Sequence, residues 1–288
     1  MLDKVLSAKL REYAPANAVE QDNVLQEMMQ HYVLASLSRA GLFADAIFHG
    51  GTCLRIVNGI NRFSEDLDFL LKQPDLNFRW QRYLEAITKD CAQEGITFEV
   101  QDQAEAASAV RKAFLKTDFI GKILTLDLPY ERYQARKLRI KLEIDTNPRT
   151  GSAFTTSYIT FPVTAPLTTQ TLESSFALKL HALLCRSYVK GRDWYDFVWY
   201  IARRVSPTLE LLQNALHQQG PWAGQAFAVT TDWVQKNLEA TIRRIDWDVA
   251  RNDVQRFLPL REQDGLRLWG PDFFLHHAAR MSKPENNS

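Results

Sequence analysis

A strict alternation of apolar and charged residues near the middle of the chain is the strongest constraint on its fold. In KLRIKLEIDT, residues 137–146, the apolar residues are Leu138, Ile140, Leu142 and Ile144, and the charged residues are Arg139, Lys141, Glu143 and Asp145. A period of two is the period of a β-strand, because successive side chains of a strand point to opposite faces. The segment therefore predicts a strand with one apolar face and one charged face.

A second charged strand is predicted at DLDFLL, residues 66–71. Asp66 and Asp68 are separated by one residue, so both side chains leave the same face of the strand, about 7 Å apart. Two carboxylates this close repel each other unless a cation lies between them or one of them takes up a proton. Mg²⁺ favours one or two carboxylates together with phosphate oxygens, so the pair predicts a metal site; the alternative is a solvated strand face with two acids.

A pair of glycines precedes that strand. AIFHGG is typical of a strand that runs into a tight turn, and TCLRIVNG of a helix. A Gly-Gly turn before a helix lets backbone N–H groups approach a polyphosphate, so Gly50, Gly51 and the hydroxyl of Thr52 predict a phosphate site. In RFSEDLD, Arg62 and Ser64 are placed to reach phosphate oxygens. The alternatives are a simple turn capped by Thr52 and an ordinary loop.

The alternating segment supplies two further acids. If its strand pairs beside the DLDFLL strand, then Glu143 or Asp145 can be the third carboxylate of a two-metal site, the acid that helps to activate an attacking hydroxyl. Arg139 and Lys141 supply counter-charge on the same face. For each acid, an exposed amphipathic strand is the alternative.

Composition excludes several classes of protein. The 288 residues carry a formal net charge of +1, so no global field favours nucleic acid or a membrane. Cys53, Cys91 and Cys185 form no CxxC pair, which argues against a disulfide framework and a structural zinc site. No run approaches about 18 apolar residues and the first residues are charged, so neither a membrane span nor a signal peptide is predicted. We expect a cytoplasmic enzyme or binding protein.

The character of the chain changes near its middle. The first 45 residues and residues 79–94 have helical spacing, whereas ITFEVQ and the stretch around 109–126 are strand-like. PVTAPLTTQ predicts a domain boundary, and the tail MSKPENNS is predicted to be disordered. Further helices are predicted at 171–188, 193–204, 207–218, 222–240 and 246–257. The expected organisation is an α+β domain at 1–165 and a helical domain at 166–288.

A basic segment from Arg111 to Lys141 is a candidate polynucleotide groove, because basic residues outnumber acids there and alternate with aromatic rings. Its basic residues are Arg111, Lys112, Lys116, Lys122, Arg132, Arg136, Lys137, Arg139 and Lys141, its acids are Asp118, Asp127 and Glu131, and its rings are Phe114, Phe119, Tyr130 and Tyr133. Arg203–Arg204 and Arg243–Arg244 are placed to extend it. The alternative is a set of solvated basic residues. The tryptophans of the helical half are predicted to be core residues.

The order of glycine pair, helix, D-hydrophobic-D strand and later acidic strand resembles the polymerase-beta nucleotidyltransferase superfamily. With GGTCLR and RFSEDLDF followed by ALKLHALLCRSYVKGRDWYDF, the chain resembles the AbiEii/AbiGii-type nucleotidyltransferase toxins of bacterial toxin–antitoxin systems, from about residue 45 to 200. The resemblance implies a polymerase-beta-like core, in which helices flank a mixed sheet, followed by a C-terminal helical bundle.

The resemblance also implies roles for individual residues. The implied metal ligands are Asp66, Asp68 and Glu143, with Mg²⁺ or Mn²⁺ as the cofactor. The implied nucleotide-binding set is Gly50, Gly51, Thr52, Arg55, Arg62, Ser64 and Lys179. Of the two aspartates in GRDWYDF, Asp196 is the favoured catalytic residue and Asp193 stays open. From the residues alone, Asp193 also fits an N-cap with Asp196 completing a capping box, and Lys179 also fits a solvated lysine.

The predicted reaction is Mg²⁺-dependent transfer of a nucleotide from an NTP to an acceptor, with release of pyrophosphate. The resemblance implies an RNA acceptor, foremost a tRNA 3′ end, and a toxin restrained by a cognate antitoxin protein. Two alternatives stay open at this point. One is transfer to a protein or small-molecule hydroxyl, and the other is a non-catalytic nucleotide-binding interaction module.

Overall fold

The computed structural model describes residues 2–103, 110–117, 130 and 138–281. They form two compact units. The first unit consists of the described residues of Met1–Pro148 together with Phe154–Thr169. The second consists of Arg149–Ala153 together with the described residues of Gln170–Ser288. Among the described helices, none combines the length and the apolar character that a bilayer crossing requires.

A mixed sheet, with seven strands among the described residues, is the frame of the first unit. The strands are β1 (Ala46–His49), β2 (Asp66–Leu71), β3 (Phe98–Gln103), β4 (Val110–Thr117), β5 (Leu138–Asp145), β6 (Phe154–Ile159) and β7 (Ala165–Gln170). Their spatial order is β3-β4-β5-β2-β1-β7-β6. β2 is antiparallel to β1 and parallel to β5, so the two charged strands are direct neighbours.

The alternation that predicts β5 is confirmed by its burial. All its apolar residues are buried, and its charged residues are half-buried or exposed. The apolar face of β2 is likewise buried at Leu67 and Phe69. Burial of one face fixes the register of each strand, because a shift by one residue would move the charges into the core.

Helices cover the buried face of this sheet. They are α1 (Leu2–Tyr13), α2 (Ala18–Arg39), α3 (Leu42–Asp45), α4 (Gly50–Ile56) and α5 (Gln81–Gln93). In α2, Met28, Met29 and Val33 are fully buried. Asn17 caps this helix by accepting a hydrogen bond from the backbone N–H of Glu20, which satisfies one of its unpaired donors. The predicted helical character of the first 45 residues is therefore confirmed.

The second unit is helical, as predicted. Its helices are α6 (Leu172–Cys185), α7 (Gly191–Ala202), α8 (Leu209–Gln218), α9 (Thr231–Ile242), α10 (Trp247–Gln255), α11 (Leu260–Gln263) and α12 (Pro271–Ala279), with a 3₁₀ helix at Asp264–Leu268. The ring of Trp247 stacks on Phe274 with the centroids 4.1 Å apart, and Trp194 meets both rings edge-on. Trp194 and Trp247 are core residues, whereas Trp199, Trp222 and Trp233 are only half-buried.

The segment PVTAPLTTQ contains strand β7, which the sequence did not predict, and the two compact units divide at its end, between Thr169 and Gln170. Ala165, Leu167 and Thr169 are buried while Pro166 is exposed, and Thr169 pairs with Phe48 of β1. Its polar composition and two prolines concealed the alternation. The predicted disordered tail lies outside the described residues, apart from Met281.

Candidate active site

The two aspartates of β2 lie on the face of the sheet opposite the core. Asp66 and Asp68 are half-buried, whereas their neighbours Leu67 and Phe69 are buried on the other face. The structure therefore places the pair as the sequence predicted. Both carboxylates belong to one central strand, so their spacing is fixed by the backbone of the sheet.

The register of β5 beside β2 distinguishes the two candidates for a third carboxylate. Asp68 pairs with Glu143, whereas Asp145 pairs with Leu70. Paired residues of neighbouring strands project to the same face, so Glu143 is the acid directly beside an aspartate. One oxygen of Asp145 accepts a hydrogen bond from the backbone N–H of Asn147, at 2.9 Å. The pairing thus favours Glu143.

Lys141 is the counter-charge of this acidic face. It pairs with Asp66 in the register, and its Nζ lies 2.8 Å from Oε2 of Glu143. Burial opposes its charge, but the hydrogen bond to Glu143 and the charges of Asp66, Glu143 and Asp68 together raise the pKa of Lys141. A second lysine, Lys112, has its Nζ 3.8 Å from Oε1 of Glu143. Two lysines therefore balance part of the negative charge of this face.

The chemistry of these donors fits a hard divalent cation. Carboxylate oxygens are the ligands that Mg²⁺ takes in proteins, usually one or two at a time. Among the described residues, no group of three His, Cys, Asp or Glu side chains is already gathered closely enough to hold an ion. The acidic field that raises the pKa of Lys141 is the same field that would attract a divalent cation.

The glycine pair brings the start of α4 against these side chains. Gly50 has φ +77°, and a Cβ there would lie 2.6 Å from Oδ2 of Asp68. A Cβ on Gly51 would lie 2.6 Å from Nη2 of Arg62 and 3.0 Å from Oγ of Ser64. Any side chain at either position would therefore displace a predicted site residue. The pair lets the backbone lie directly over a carboxylate, a guanidinium and a hydroxyl.

Arg62 lies beneath this turn. Its side chain is buried, with the residue 2% exposed, and its Nη1 donates a hydrogen bond to the carbonyl oxygen of Phe63 at 3.0 Å. A buried guanidinium is costly unless its charge is compensated. Arg62 is therefore a fixed positive charge next to Gly51, and the half-buried Ser64 lies beside it.

Thr52 and Arg55 differ from the predicted phosphate contacts, because both side chains bind the protein itself. Thr52 is fully buried, and its hydroxyl donates a hydrogen bond to the carbonyl oxygen of Asp66. Nε of Arg55 lies 2.7 Å from the carboxylate of Glu27, and its Nη1 donates to the carbonyl oxygens of Ile60 and Asn61. These contacts hold α4 and the loop before β2 in place, and a role of the two residues in phosphate binding stays a prediction.

In the second unit, Lys179 joins both predicted aspartates. Its Nζ lies 2.6 Å from Oδ1 of Asp193 and 2.7 Å from Oδ2 of Asp196. Arg186 forms an ion pair with the other oxygen of Asp193. The side chain of Lys179 is 13% exposed and that of Asp196 is fully buried, so the interpretation of Lys179 as a solvated lysine is wrong.

The capping interpretation of Asp193 is also wrong. The N-cap of α7 is Lys190, without a side-chain hydrogen bond, and Asp193 lies inside the first turn. Burial alone would raise the pKa of Asp193, but the charges of Lys179, Arg186 and Lys190 and the hydrogen bond from Lys179 lower it to about 2. Asp193 is therefore an ionised partner of Lys179 at neutral pH.

A family comparison gives the identity of the chain. The model of the family described as "Nucleotidyl transferase AbiEii toxin, Type IV TA system" matches residues 32–275. The chain belongs to this family. The enzyme class predicted from the sequence, a nucleotidyltransferase of a toxin family, is thereby confirmed. AbiEii membership implies an NTP substrate, a divalent metal as is typical of nucleotidyltransferases, and an antitoxin partner.

The chain is also similar to solved structures. The nucleotidyltransferase toxin MenT4 (Rv2826c) of Mycobacterium tuberculosis H37Rv is 17% identical, over 96% of this chain and 99% of that chain, with a TM-score of 0.51. JHP933 of Helicobacter pylori is 16% identical over 90% of this chain and 89% of that chain, with a TM-score of 0.49. The search of curated proteins finds no significant match. The likeness to MenT4 agrees with the predicted α+β fold.

Sequence reasoning missed two features of the GRDWYDF motif of this AbiEii chain. A Cβ on Gly191 would overlap the carbonyl oxygen of Ala250, so this glycine permits close packing of α7 against α10. Arg186 and Lys190 also belong to the charge cluster around Asp193. The signal for them was available, since RSYVKGR places three basic residues directly before that aspartate.

The predicted polynucleotide groove lies largely outside the described residues. Those outside are Asp118, Phe119, Lys122, Asp127, Glu131, Arg132, Tyr133, Arg136 and Lys137, and the side chain of Lys116 is not described either. Of the described members, Arg111 is buried and donates a hydrogen bond to the carbonyl oxygen of Leu76. Arg139 lies over the ring of Phe114, 3.9 Å from its centroid. The groove stays a prediction.

Proposed function

We propose that this AbiEii-family protein transfers a nucleotide from an NTP to an RNA acceptor, foremost a tRNA 3′ end, in a Mg²⁺- or Mn²⁺-dependent reaction that releases pyrophosphate. One observation carries the proposal. Asp68 lies beside Glu143 in the sheet and against Gly50, while Gly51 lies against Arg62. Carboxylates that could bind a cation therefore lie next to groups that could donate hydrogen bonds to phosphate.

Asp66, Asp68 and Glu143 would hold the divalent metal. When bound, a divalent ion supplies charge neutralisation at the phosphate and activation of the acceptor hydroxyl. Lys141 neutralises part of the charge of these carboxylates, since its Nζ lies 2.8 Å from Oε2 of Glu143. The donor chemistry supports this assignment, because all three ligands are carboxylates on one face of the sheet.

The residues around the glycine pair would bind the triphosphate. Backbone N–H groups at Gly50 and Gly51, the hydroxyl of Ser64 and the fixed charge of Arg62 are the donors. Lys179 is proposed to contact the nucleotide phosphates as well, as the family resemblance implies. Asp193 and Asp196 would position its ammonium group, and the ion pairs at 2.6 and 2.7 Å support that role.

The chemical step is an in-line displacement at the α-phosphorus. The acceptor hydroxyl oxygen forms the new P–O bond, and the bond between the α-phosphorus and the bridging oxygen breaks to release pyrophosphate. The proton of the acceptor hydroxyl passes to a nearby carboxylate. Glu143 is proposed for this role, with Asp145 as the alternative, because only Glu143 pairs directly with Asp68.

Transfer of label from an NTP labelled at the α-phosphate tests this proposal. Purified protein is incubated with labelled NTP, Mg²⁺, total tRNA and a mixture of proteins. We expect label on RNA, and a loss of roughly 10³-fold or more in the Asp66→Asn, Asp68→Asn double variant, since a catalytic metal contributes several kcal/mol to the transition state. Label on protein alone would contradict the RNA acceptor, and full activity of the double variant would contradict the metal site.

Two single variants on β5 form a matched pair for the third carboxylate. Glu143→Gln and Asp145→Asn remove the same charge from the same face of one strand. We expect a large loss of transfer only in Glu143→Gln. A larger loss in Asp145→Asn would reassign the role to Asp145.

A further inference from the structure

A cavity of about 460 Å³ in the second unit has no role of its own in the proposed reaction, which uses only its lining residue Asp193 to position Lys179. It lies beside the end of α6, the loop from Arg186 to Lys190 and the end of α9. Its charged lining residues are Arg186, Lys190, Asp193 and Arg244. Three cations and one carboxylate therefore share this cavity.

The single carboxylate is already engaged by other cations. One oxygen of Asp193 binds Lys179 and the other binds Arg186. The ammonium group of Lys190 forms no hydrogen bond or ion pair with the residues that the structure describes, and its backbone carbonyl accepts from the N–H of Asp193. Nε of Arg244 donates to the carbonyl oxygen of Ala240, and the guanidinium has no ion pair within that part of the chain. The cavity therefore has excess positive charge.

The surroundings of Lys190 make this excess costly. Burial lowers the pKa of Lys190, and the charges of Arg192, Lys179 and Arg186 lower it further, against the opposing effect of Asp193. A bound anion would restore the balance, because an opposite charge within a few ångströms favours the charged form of a lysine. The electrostatics of the cavity thus favour an anionic ligand.

An exposed aromatic ring indicates which class of anionic ligand fits the cavity. Tyr188 lines the same cavity, is 63% exposed, and has the guanidinium of Arg186 5.0 Å from the centroid of its ring. Phosphate alone would need only the cations. An exposed ring beside cations is the combination that binds single-stranded nucleic acid, with bases stacked on the ring and phosphates on the charges.

We propose that this cavity binds the backbone of a single-stranded polynucleotide, with phosphates at Lys190 and Arg244 and a base on Tyr188. It is a binding site for the acceptor strand, separate in role from the residues that hold the NTP. The identity of the strand as RNA rests on the proposed function. Arg186 would position Tyr188 and contribute charge at the rim.

Binding of a short fluorescent single-stranded RNA, measured by anisotropy over a range of salt concentrations, tests the inference. The test variant is Lys190→Gln, Arg244→Gln. The control is Arg261→Gln, Arg267→Gln, which removes the same charge at two arginines outside the cavity. We expect RNA binding about tenfold weaker or more in the test variant. The slope of log K against log salt should become shallower by about 0.7 for each phosphate that is no longer bound. The control should bind RNA as the unchanged protein does.

A tyrosine series separates stacking from charge. Tyr188→Leu is expected to weaken RNA binding without changing the salt slope, and Tyr188→Trp to restore it, because stacking needs a ring and not a charge. Arg244→Gln alone, at an exposed position, repeats the test without altering the half-buried Lys190. Melting curves of each variant verify that the chain is folded.

Binding of NTP by the same variants separates this inference from the proposed function. Equal RNA affinity in the test variant and the control would overturn the inference. Weakened NTP binding with unchanged RNA binding would assign the cavity to the nucleotide and also overturn it. If the unchanged protein binds no RNA, both this inference and the RNA acceptor fail. Nucleotidyl transfer itself is tested separately, by the transfer activity of the Asp66→Asn, Asp68→Asn variant.

Discussion

The acidic face of the sheet and the charge cluster around Asp193 both combine lysine with carboxylates. The ratio of cations to carboxylates differs between them. On the sheet, Lys141 faces Asp66, Asp68 and Glu143, and the side chain of Lys141 is 27% exposed. In the cluster, cations outnumber the acids around Asp193, and the lysine at its centre is nearly buried. In the first arrangement, carboxylates outnumber the lysine that lies among them. The second fixes the position of its own lysine.

Burial decides how much each arrangement contributes to stability. A half-exposed ion pair contributes little, because water screens it and both side chains lose freedom. Breaking a buried pair is costly, because the remaining charge has no partner and no water. The two regions should therefore respond very differently when their lysine is removed.

Removal of the buried lysine should have the largest effect on stability. Lys179→Met leaves Asp196 buried without its ion pair to this lysine, so we expect the free energy of unfolding to fall by about 3–5 kcal/mol. Urea unfolding followed by tryptophan fluorescence reports this, since six of the seven tryptophans lie in the second unit. Lys236→Met, at a lysine of α9 outside the cluster, is the control. Adding Asp196→Asn to Lys179→Met should restore part of the stability; no restoration would mean that the packing of the lysine side chain, not its charge, dominates.

The loss of folding stability at low pH, caused by protonation of Asp193, is the next largest expected effect. The folded pKa of Asp193 is about 2, below the ordinary value of 3.8, so its ionisation stabilises the fold above about pH 4. This contribution disappears as the pH falls from about 4 to 2, and amounts to about 2 kcal/mol. Melting temperatures at pH 5 and pH 2.5 should differ less in Asp193→Asn than in the unchanged protein. Asp264→Asn, at an exposed pair with Arg267, should keep the full difference; equal pH dependence of both variants would contradict the role of Asp193.

The parts of the fold that the sequence predicted were those with a local period. Alternation in LRIKLEID and DLDFLL predicted β5 and β2, and helical spacing predicted most helices of the second unit. Strand β7 was missed, because proline and threonine outweigh Ala165 and Leu167 in a segment whose strand hydrogen bonds come from pairing with β1 and β6.

In the candidate site, too, local features were predictable from the sequence and long-range contacts were not. Asp66 and Asp68 were predictable, because one strand fixes their shared face. The choice between Glu143 and Asp145 depends on the register between two strands far apart in sequence, which local pattern does not encode. The contacts of Thr52 and Arg55 were not predicted for the same reason, since their partners Asp66 and Glu27 are distant along the chain.

Removal of the lysine on the sheet should change stability least and metal binding most clearly. Lys141→Met should change the free energy of unfolding by less than about 1 kcal/mol, because the pair with Glu143 is partly exposed. The same change removes a positive charge that competes with a divalent cation for Asp66, Asp68 and Glu143. We expect Mn²⁺ to bind about fivefold more tightly, measured by calorimetry without nucleotide. Lys112→Met is the matched control, since that lysine lies 3.8 Å from Glu143 and is 46% exposed. Unchanged or weaker Mn²⁺ binding in Lys141→Met would show that Lys141 does not compete with the metal. Equal tightening in the two variants would show that the two lysines of this face are interchangeable surface charges.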